Sequence, residues 1–203
     1  ALYYMEQSCK SKPVFNKDDF NSSDGMLTYV WGPSMWHTLH TISFNYPVNP
    51  DKETRKKYFE FYSTLKNVLP CRYCRINLIN NMKKVPLNMK TMKNRDTLSR
   101  WVYSLHEEIN TMLGKKSGLS YKDVRERYEM FRARCIDDTE GKKKKKIMKT
   151  RKRESGCTKP LYGVRSKCVL SIVPRDTKCK SFSIDKRCKL KRRSKKAKKI
   201  RSI

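Results

Sequence analysis

The sequence predicts an all-α fold, in which residues 29–135 form a four-helix bundle plus a short fifth helix and residues 136–203 form a basic, Cys-containing C-terminal tail or small module. Three observations predict it. Apolar residues recur at offsets of three and four along residues 29–135, which is the period of amphipathic helices. Capping residues, prolines and glycines stand at the ends of those segments. The positive charge is concentrated in the last third of the chain.

An N-terminal arm precedes the first predicted helix. Residues 1–28 contain Pro13 and the run Ser22-Ser23-Asp24-Gly25 with little periodicity, so we expect an extended arm that ends in a turn. The first helix is predicted over about 33–45. Its apolar stripe, with offsets of three or four, consists of Trp31, Met35, Leu39, Ile42 and Tyr46.

Two further helices are separated by a proline. Asp51 can cap the second helix near Lys52, and Pro70 ends it. Its broad apolar face consists of Tyr58, Phe59, Phe61, Tyr62, Leu65 and Leu69. The third helix is predicted from Cys71 to about Met82, before a stop near residue 86.

The longest apolar stripe predicts the fourth helix, from about Asn94 to Leu113, with Gly114 as its stop. Its members are Leu98, Trp101, Val102, Leu105, Ile109 and Leu113. Ser120 can cap a short fifth helix that continues to about Arg134. No segment between residues 29 and 135 requires a strand, and we therefore predict a helical bundle.

The C-terminal extension carries most of the charge. From Lys142 to Ile203 there are 26 Lys and Arg against three acids, a net of +23 out of +30, which leaves +7 for the first 141 residues. A segment so basic and so poor in large apolar residues cannot bury enough surface to offset the entropy of ordering it. We expect disorder more than a small β module, although residues 161–164 and 168–174 permit a short hairpin.

The sequence also bears on location. No apolar run approaches the roughly 18 to 20 residues of a transmembrane helix, and no secretory signal pattern opens the chain. We therefore expect a soluble protein without a transmembrane segment. Eight cysteines in 203 residues is below the density of a disulfide scaffold and does not identify the compartment.

The sharpest local feature is the pair Cys71 and Cys74, which follows Pro70 at the start of the third helix. This spacing lets both sulfurs meet across the first helical turn, and it permits a redox disulfide. The unpaired amides and positive end of the helix stabilise a thiolate at Cys71, as do Arg72 and Arg75, so its pKa should lie below the usual value of about 8.5. Thiol exchange requires a thiolate.

Spacing alone leaves three interpretations of this pair: a redox disulfide, half of a zinc site, or two packed core cysteines. Zinc needs further ligands, but the chain has no second closely spaced pair and only His37, His40 and His106. We therefore predict no metal site. A thioredoxin-like pair would follow a strand, which the sequence does not predict here.

Four motifs carry a family resemblance. Trp31–His40, Cys71-Arg72-Tyr73-Cys74, Trp101 to Lys115 with its Leu-Gly-Lys ending, and Val124–Tyr128 occur in that order. Together they resemble the Trp-Gly, Trp, Leu-His opening, the redox pair, the His-Asn segment and the closing aromatic segment of the Erv/ALR family of FAD-linked sulfhydryl oxidases. The motifs cover about half of the chain.

The resemblance implies an activity. Protein dithiols are oxidised to disulfides, with FAD as cofactor and O₂ as the electron acceptor that becomes H₂O₂. It implies that Cys71 and Cys74 are the catalytic pair, with Cys71 exchanging with substrate and Cys74 next to the flavin. The cofactor-binding residues that it implies are Trp31, Gly32, Trp36, His40, His106, Asn110, Lys115 and Tyr128. A homodimer is also implied.

Plainer interpretations of these residues exist beside the resemblance. Tryptophans at helical spacing are usually core, and we expect that role for Trp101. His106 alone would be an ordinary surface or core histidine, but it lies four residues before Asn110 on one helix face. The resemblance therefore decides in favour of cofactor contacts at Trp36 and His106.

Two departures from the family pattern are visible. Glu107 stands where relatives usually carry Asn, and no cysteines are present to form the additional disulfide of cellular members between the fourth and fifth helices. This shorter form resembles members encoded by large DNA viruses, which would place the protein in the virion or the host cytoplasm. Neither location follows from the residues themselves.

Outside the redox pair the cysteines have no assigned role. A shuttle pair or structural bridges are alternatives for Cys9 in the arm and for the tail cysteines, and Cys135 could be an unpaired thiol or an intersubunit bridge. The tail cysteines are Cys157, Cys168, Cys179 and Cys188.

The tail implies a polyanion partner. Residues 142–203 would bind nucleic acid or a virion component through counterion release, or act only as a solubilising tail. The alternative function is therefore a catalytically silent structural protein that binds such a polyanion. A thiol-disulfide isomerase without flavin is a weaker alternative.

Overall fold

The computed structural model describes residues 16–23, 25–136 and 156–162. Within this part of the chain the fold is helical, with one two-stranded sheet at its C-terminal side. The elements are α1 (Lys17–Asn21), α2 (Thr28–Asn45), α3 (Lys52–Val68), α4 (Arg72–Lys84), α5 (Arg95–Met112), α6 (Tyr121–Glu129), β1 (Ala133–Ile136) and β2 (Gly156–Pro160). Helices α2 to α5 are the four predicted bundle helices, and α6 is the short fifth.

The core lies between α2, α3, α4 and α5, with α6 packed against α2 and α5. Most of its buried side chains come from the apolar stripes of these helices, and Met92 comes from the loop between α4 and α5; Leu98, Tyr62 and Met92 are almost completely inaccessible. Three polar groups of core aromatic side chains donate to backbone carbonyls: Tyr62 to Leu39, Tyr46 to Met92 and Trp101 to Val85. Trp101 is therefore a core residue, as predicted.

Local capping explains where three helices begin. The Asp51 carboxylate accepts from the Thr54 amide, and capping boxes begin α5 and α6 at Asn94 and Ser120. Gly114 follows α5 with φ of 66°, a left-handed conformation that glycine adopts without strain. These starts and the Gly114 stop confirm the predicted bounds.

The N-terminal part differs from the prediction in two ways. Residues 17–21 form the short helix α1, so the arm is not extended throughout. Helix α2 begins at Thr28 instead of near 33, and Pro33 lies inside it. Pro33 has no N–H, so it removes one helical hydrogen bond. The residue is exposed and lies close to the first turn of α2. The additional turn is held by the contact of Thr28 with the distant Cys74 and by the local bond from the Trp31 indole to the Met26 carbonyl.

The C-terminal part contains a strand that the sequence did not predict. Helix α6 ends at Glu129, not near 134, and β1 pairs antiparallel with β2 with Ala133 opposite Pro160. Arg132 helps to end the helix, since its guanidinium bonds both the Glu129 carboxylate and the Phe44 carbonyl. The paired residues are 20 to 27 positions apart, so no local sequence pattern predicts β1.

The tail enters the described structure only at residues 156–162, where Cys157 forms a disulfide. The hairpin predicted from 161–164 and 168–174 lies almost entirely outside the described residues. Strand β1 crosses the predicted boundary between residues 135 and 136, and the division into 1–28, 29–135 and 136–203 stays a prediction. None of the helices in the described ranges is long and apolar enough to cross a membrane.

Candidate functional site

The two cysteines of the redox motif lie at the N-terminus of α4. Cys71 is the N-cap residue, with extended backbone angles, and its Sγ accepts a hydrogen bond from the Cys74 amide at 3.2 Å. Both are free thiols in this structure. Among the described residues no group of three or more His, Cys, Asp or Glu could hold a metal ion.

The two thiols differ in acidity. Partial burial raises the pKa of Cys71, but hydrogen bonds from the Cys74 thiol and amide outweigh it and bring that pKa below its ordinary value. Burial and the hydrogen bond to Cys71 raise the pKa of Cys74. In the reduced pair the thiolate therefore resides on Cys71, as the position at the helix start predicted.

The N-terminal arm forms one wall of this site. Gly25 makes an antiparallel bridge with Cys71, and the Met26 amide donates to the Pro70 carbonyl at 2.8 Å. The indole of Trp31, on α2, donates a hydrogen bond to the carbonyl of Met26, on the arm, and so connects the arm to α2. These bonds bring Thr28 to the redox pair.

A second cluster consists of aromatic and imidazole rings from α2, α5 and α6. The rings of Trp36 and His106 are stacked with centroids 3.9 Å apart, and His40 Nε2 is 3.1 Å from His106 Nδ1. Tyr128 stacks on His40, with ring centroids 5.1 Å apart, and also on Phe44. Four predicted cofactor residues thus meet in one cluster, although they come from three helices.

Burial keeps both histidines of the pair neutral. Desolvation, with the charges of His106 and His37, lowers the pKa of His40 to about 3. Desolvation likewise lowers the pKa of His106 to about 4, where Glu107 opposes the shift and Lys115 adds to it. His40 Nδ1 is buried and has no hydrogen-bond partner among the described residues.

The polar end of the cluster is organised by Glu107. One of its carboxylate oxygens accepts from the Asn110 side-chain amide at 3.0 Å and the other from the Ser117 hydroxyl at 2.9 Å. The Lys115 amide donates to the Asn110 carbonyl. Glu107, which departs from the family pattern, therefore orients Asn110 and ties the loop that contains Lys115 to α5.

These residues fit the dinucleotide cofactor that the resemblance implies. The buried and unpartnered His40 Nδ1 is a polar atom that a bound group could satisfy. Flat rings at Trp36 and Tyr128 suit aromatic rings, and the exposed Lys115, whose charge reaches His106, suits a phosphate. The rings thus match the aromatic parts of FAD, and the Lys115 charge matches its phosphates.

Two predicted residues lie nearer to the arm. Trp31 bonds the Met26 carbonyl, and Gly32 is buried one turn after Thr28. Their predicted contact with cofactor stays a prediction.

Two residues at these clusters, Thr28 and Phe44, were not predicted from the sequence. Phe44 could have been found, because Trp36, His40 and Phe44 follow one another at offsets of four on α2. No local signal pointed to Thr28.

The chain is similar to known proteins. The model of the Erv1/Alr family matches residues 33–129. A relative from Acanthamoeba polyphaga mimivirus named "Probable FAD-linked sulfhydryl oxidase" is 34% identical over 99 residues, which are 49% of this chain and 68% of the relative. An African swine fever virus protein named "FAD-linked sulfhydryl oxidase" is 29% identical over 98 residues, 47% of this chain and 80% of the relative.

A solved structure is also similar. The crystal structure of the FAD-binding domain of Erv1 from Saccharomyces cerevisiae has 21% identity and a TM-score of 0.46, and the match covers 51% of this chain and 94% of that domain.

Proposed function

This chain belongs to the Erv1/Alr family, and from that premise we propose that it is an FAD-linked sulfhydryl oxidase whose redox-active disulfide joins Cys71 and Cys74. One observation carries the proposal: both sulfurs lie at the N-terminus of α4, with the Cys71 pKa lowered and the Cys74 pKa raised. The relatives named FAD-linked sulfhydryl oxidases share the matched region. The substrate class is a protein dithiol and the electron acceptor is O₂.

The proposed roles of the two sulfurs differ. In the oxidised enzyme a substrate thiolate attacks Cys71 Sγ, the bond between the two cysteines breaks, and Cys74 leaves as a thiolate with the electron pair. The second substrate thiolate then attacks the mixed disulfide, which releases the oxidised substrate and the Cys71 thiolate. The lowered pKa of Cys71 supports this role, because a more acidic thiol is the better leaving group.

The residues proposed to hold FAD are Trp31, Gly32, Trp36, His40, His106, Asn110, Lys115 and Tyr128. Bound FAD would take up the electron pair from the cysteines and deliver it to O₂, giving H₂O₂. The protein contributes a neutral histidine pair, an oriented Asn110 amide and the Lys115 charge. Each of these groups would bind FAD or fix its position.

Oxygen uptake tests the proposed function. Purified protein is expected to show flavin absorbance and to consume O₂ with dithiothreitol as electron donor. Cys71→Ala should abolish uptake, because no disulfide can form with Cys74. The exposed α3 residue Lys56 supplies a matched control, and Lys56→Ala should retain full activity. Absence of flavin would contradict the cofactor assignment, and flavin without uptake would contradict the oxidase.

We also propose that the protein is a homodimer. Exposed apolar side chains on α2 and α3 support it: Tyr29 is 72% exposed, Phe61 41% and Val68 60%. Burying such residues against a second copy would remove apolar surface from water. A molar mass near 48 kDa by light scattering, about twice the 24.1 kDa of one chain, is expected, and a monomer at micromolar concentration would contradict it.

The basic tail is proposed to bind a polyanion, namely nucleic acid or an acidic virion component. Its support is the net charge of +23 in residues 142–203. Binding to double-stranded DNA is expected to weaken steeply with salt, and replacing all five lysines of Lys142–Lys146 by Gln should reduce the slope of log K against log salt by about 4 to 5 if each contacts a phosphate. The matched control replaces Lys52, Lys56 and Lys57 of α3 by Gln. An equal change in both variants would contradict a tail-specific site.

A further inference from the structure

The N-termini of two helices meet at the redox pair. Cys71 caps α4, and Thr28 is the first residue of α2. The Thr28 hydroxyl lies 3.5 Å from Cys74 Sγ, although 46 positions separate the two residues. Sulfur accepts longer hydrogen bonds than oxygen, and either atom can donate while Cys74 is protonated. When Cys74 is a thiolate, only the hydroxyl can donate.

The arm holds Thr28 in this position. Gly25 has φ of 108°, and a Cβ there would lie 2.8 Å from the Pro70 carbonyl oxygen and 3.0 Å from Cys71 Cα. Only glycine permits this close approach, which the Met26 amide secures through its bond to Pro70. The backbone on both sides of Thr28 is therefore anchored, by the bridge to Cys71 before it and by α2 after it.

The side chain of Thr28 is also oriented. A Cβ built on Gly32, one helical turn later, would lie 3.6 Å from Thr28 Cγ2. The methyl group therefore faces Gly32, while the hydroxyl faces the two cysteines: it lies 3.5 Å from Cys74 Sγ and also lowers the pKa of Cys71 through a hydrogen bond. Among the described residues, the side chains that form hydrogen bonds with the Cys74 sulfur are those of Thr28 and Cys71.

We propose that Thr28 donates a hydrogen bond to the Cys74 thiolate when the disulfide is opened, and so accelerates the attack of substrate on Cys71. The inference rests on the proposed oxidase function. In the step concerned, the substrate sulfur bonds to Cys71 Sγ, the Cys71–Cys74 bond breaks, and the electron pair leaves with Cys74 Sγ. A hydroxyl that bonds this sulfur lowers the energy of the leaving thiolate.

The influences on the Cys74 sulfur support this role. In the reduced pair, burial, the hydrogen bond to Cys71 and the Cys71 charge raise the pKa of Cys74, whereas Thr28 and the backbone lower it. In the mixed disulfide Cys71 carries neither a charge nor a proton to share. Two of the three raising influences then disappear, and the bond to Thr28 remains.

The experiment compares three variants of the full chain with FAD bound. Thr28→Val replaces the hydroxyl by a methyl of similar shape, Thr28→Ser retains the hydroxyl, and Thr38→Val makes the same change further along α2, where the hydroxyl bonds only the Ser34 carbonyl. In Thr28→Val, reduction of the disulfide by dithiothreitol should slow about 3- to 10-fold, the range expected for one hydrogen bond to a partly exposed charged group. Thr28→Ser and Thr38→Val should remain within about twofold of the parent.

A second readout separates this role from a structural one. Alkylation of Cys74 in the reduced protein, followed by peptide mass spectrometry, gives the pH at which its thiolate forms. That pH should rise in Thr28→Val and be restored in Thr28→Ser. An unchanged Cys74 profile, or equal loss of rate in Thr28→Val and Thr38→Val, would overturn the inference.

The outcomes of the two proposals are distinguishable. If the parent protein consumed no O₂ with thiols, the oxidase proposal would fail, while the alkylation profile would still decide whether Thr28 acts on Cys74. If the parent were active and Thr28→Val matched it in rate and profile, only the role of Thr28 would fail.

Discussion

Replacing Cys74 by Ser is expected to lower turnover with dithiothreitol by at least about 10³-fold, a loss typical of removing a group that forms the covalent intermediate. The serine hydroxyl cannot form a disulfide with Cys71, so substrate thiols meet no bond to exchange with. Flavin absorbance should persist, because the rings and polar groups proposed to hold FAD lie on other residues. Oxygen uptake and the absorbance spectrum of the purified variant measure both effects.

Asn80→Ser is the matched control for that prediction, since it introduces the same side chain at an exposed position of α4. It should retain parental turnover. Substantial oxygen consumption by Cys74→Ser would contradict the mechanism proposed for the pair. Loss of flavin in that variant would instead show that Cys74 contributes to FAD binding.

Acid is expected to destabilise the flavin-free protein through the His40 and His106 pair. Their folded-state pKa values, about 3 and about 4, lie below the ordinary value of 6.5. The unfolded chain therefore binds more protons than the folded chain as pH falls below 6.5, and stability is lost in that direction. Between pH 7 and pH 5 the expected loss is about 2 kcal/mol for each histidine, or about 4 kcal/mol for the pair.

Denaturant unfolding of the flavin-free protein at pH 7, 6 and 5 measures this loss. Most carboxylates of the folded protein titrate below this pH range of 7 to 5. Four of them have pKa values lowered below their ordinary values: Asp51, Asp96, Asp123 and Glu129. His40→Gln combined with His106→Gln should flatten the pH dependence, and His37→Gln, which removes a less buried imidazole, should leave most of it. A parental unfolding free energy that is constant from pH 7 to pH 5 would contradict the burial of a neutral pair.

Much of the fold follows from local patterns. The starts of α3, α5 and α6 were predictable from Asp51, Asn94 and Ser120, because a capping side chain bonds an amide only three residues away. The place of Cys71 at the start of α4 followed in the same way from Pro70 and the spacing of the pair. Such features depend on residues within one or two helical turns.

Other features depend on residues that are far apart in sequence. The helical start at Thr28 depends on contacts with residues 70–74, and strand β1 depends on a partner at residues 156–160. Spacing cannot report such pairings, since the chain between the partners can take many paths. For this reason the predicted start of the first bundle helix and the predicted end of the fifth helix were wrong.

By itself the sequence determined the helical class, most helix bounds and the family, and it predicted the redox role of Cys71 and Cys74. Only the tertiary structure decided that Trp36, His40, His106 and Tyr128 share one cluster and that the arm places Thr28 against Cys74. The physical reason is the range of the interactions. Helix period and capping act over three or four residues, whereas ring stacking and the hydroxyl–sulfur contact join residues 46 to 88 positions apart, which only the packing of whole helices brings together.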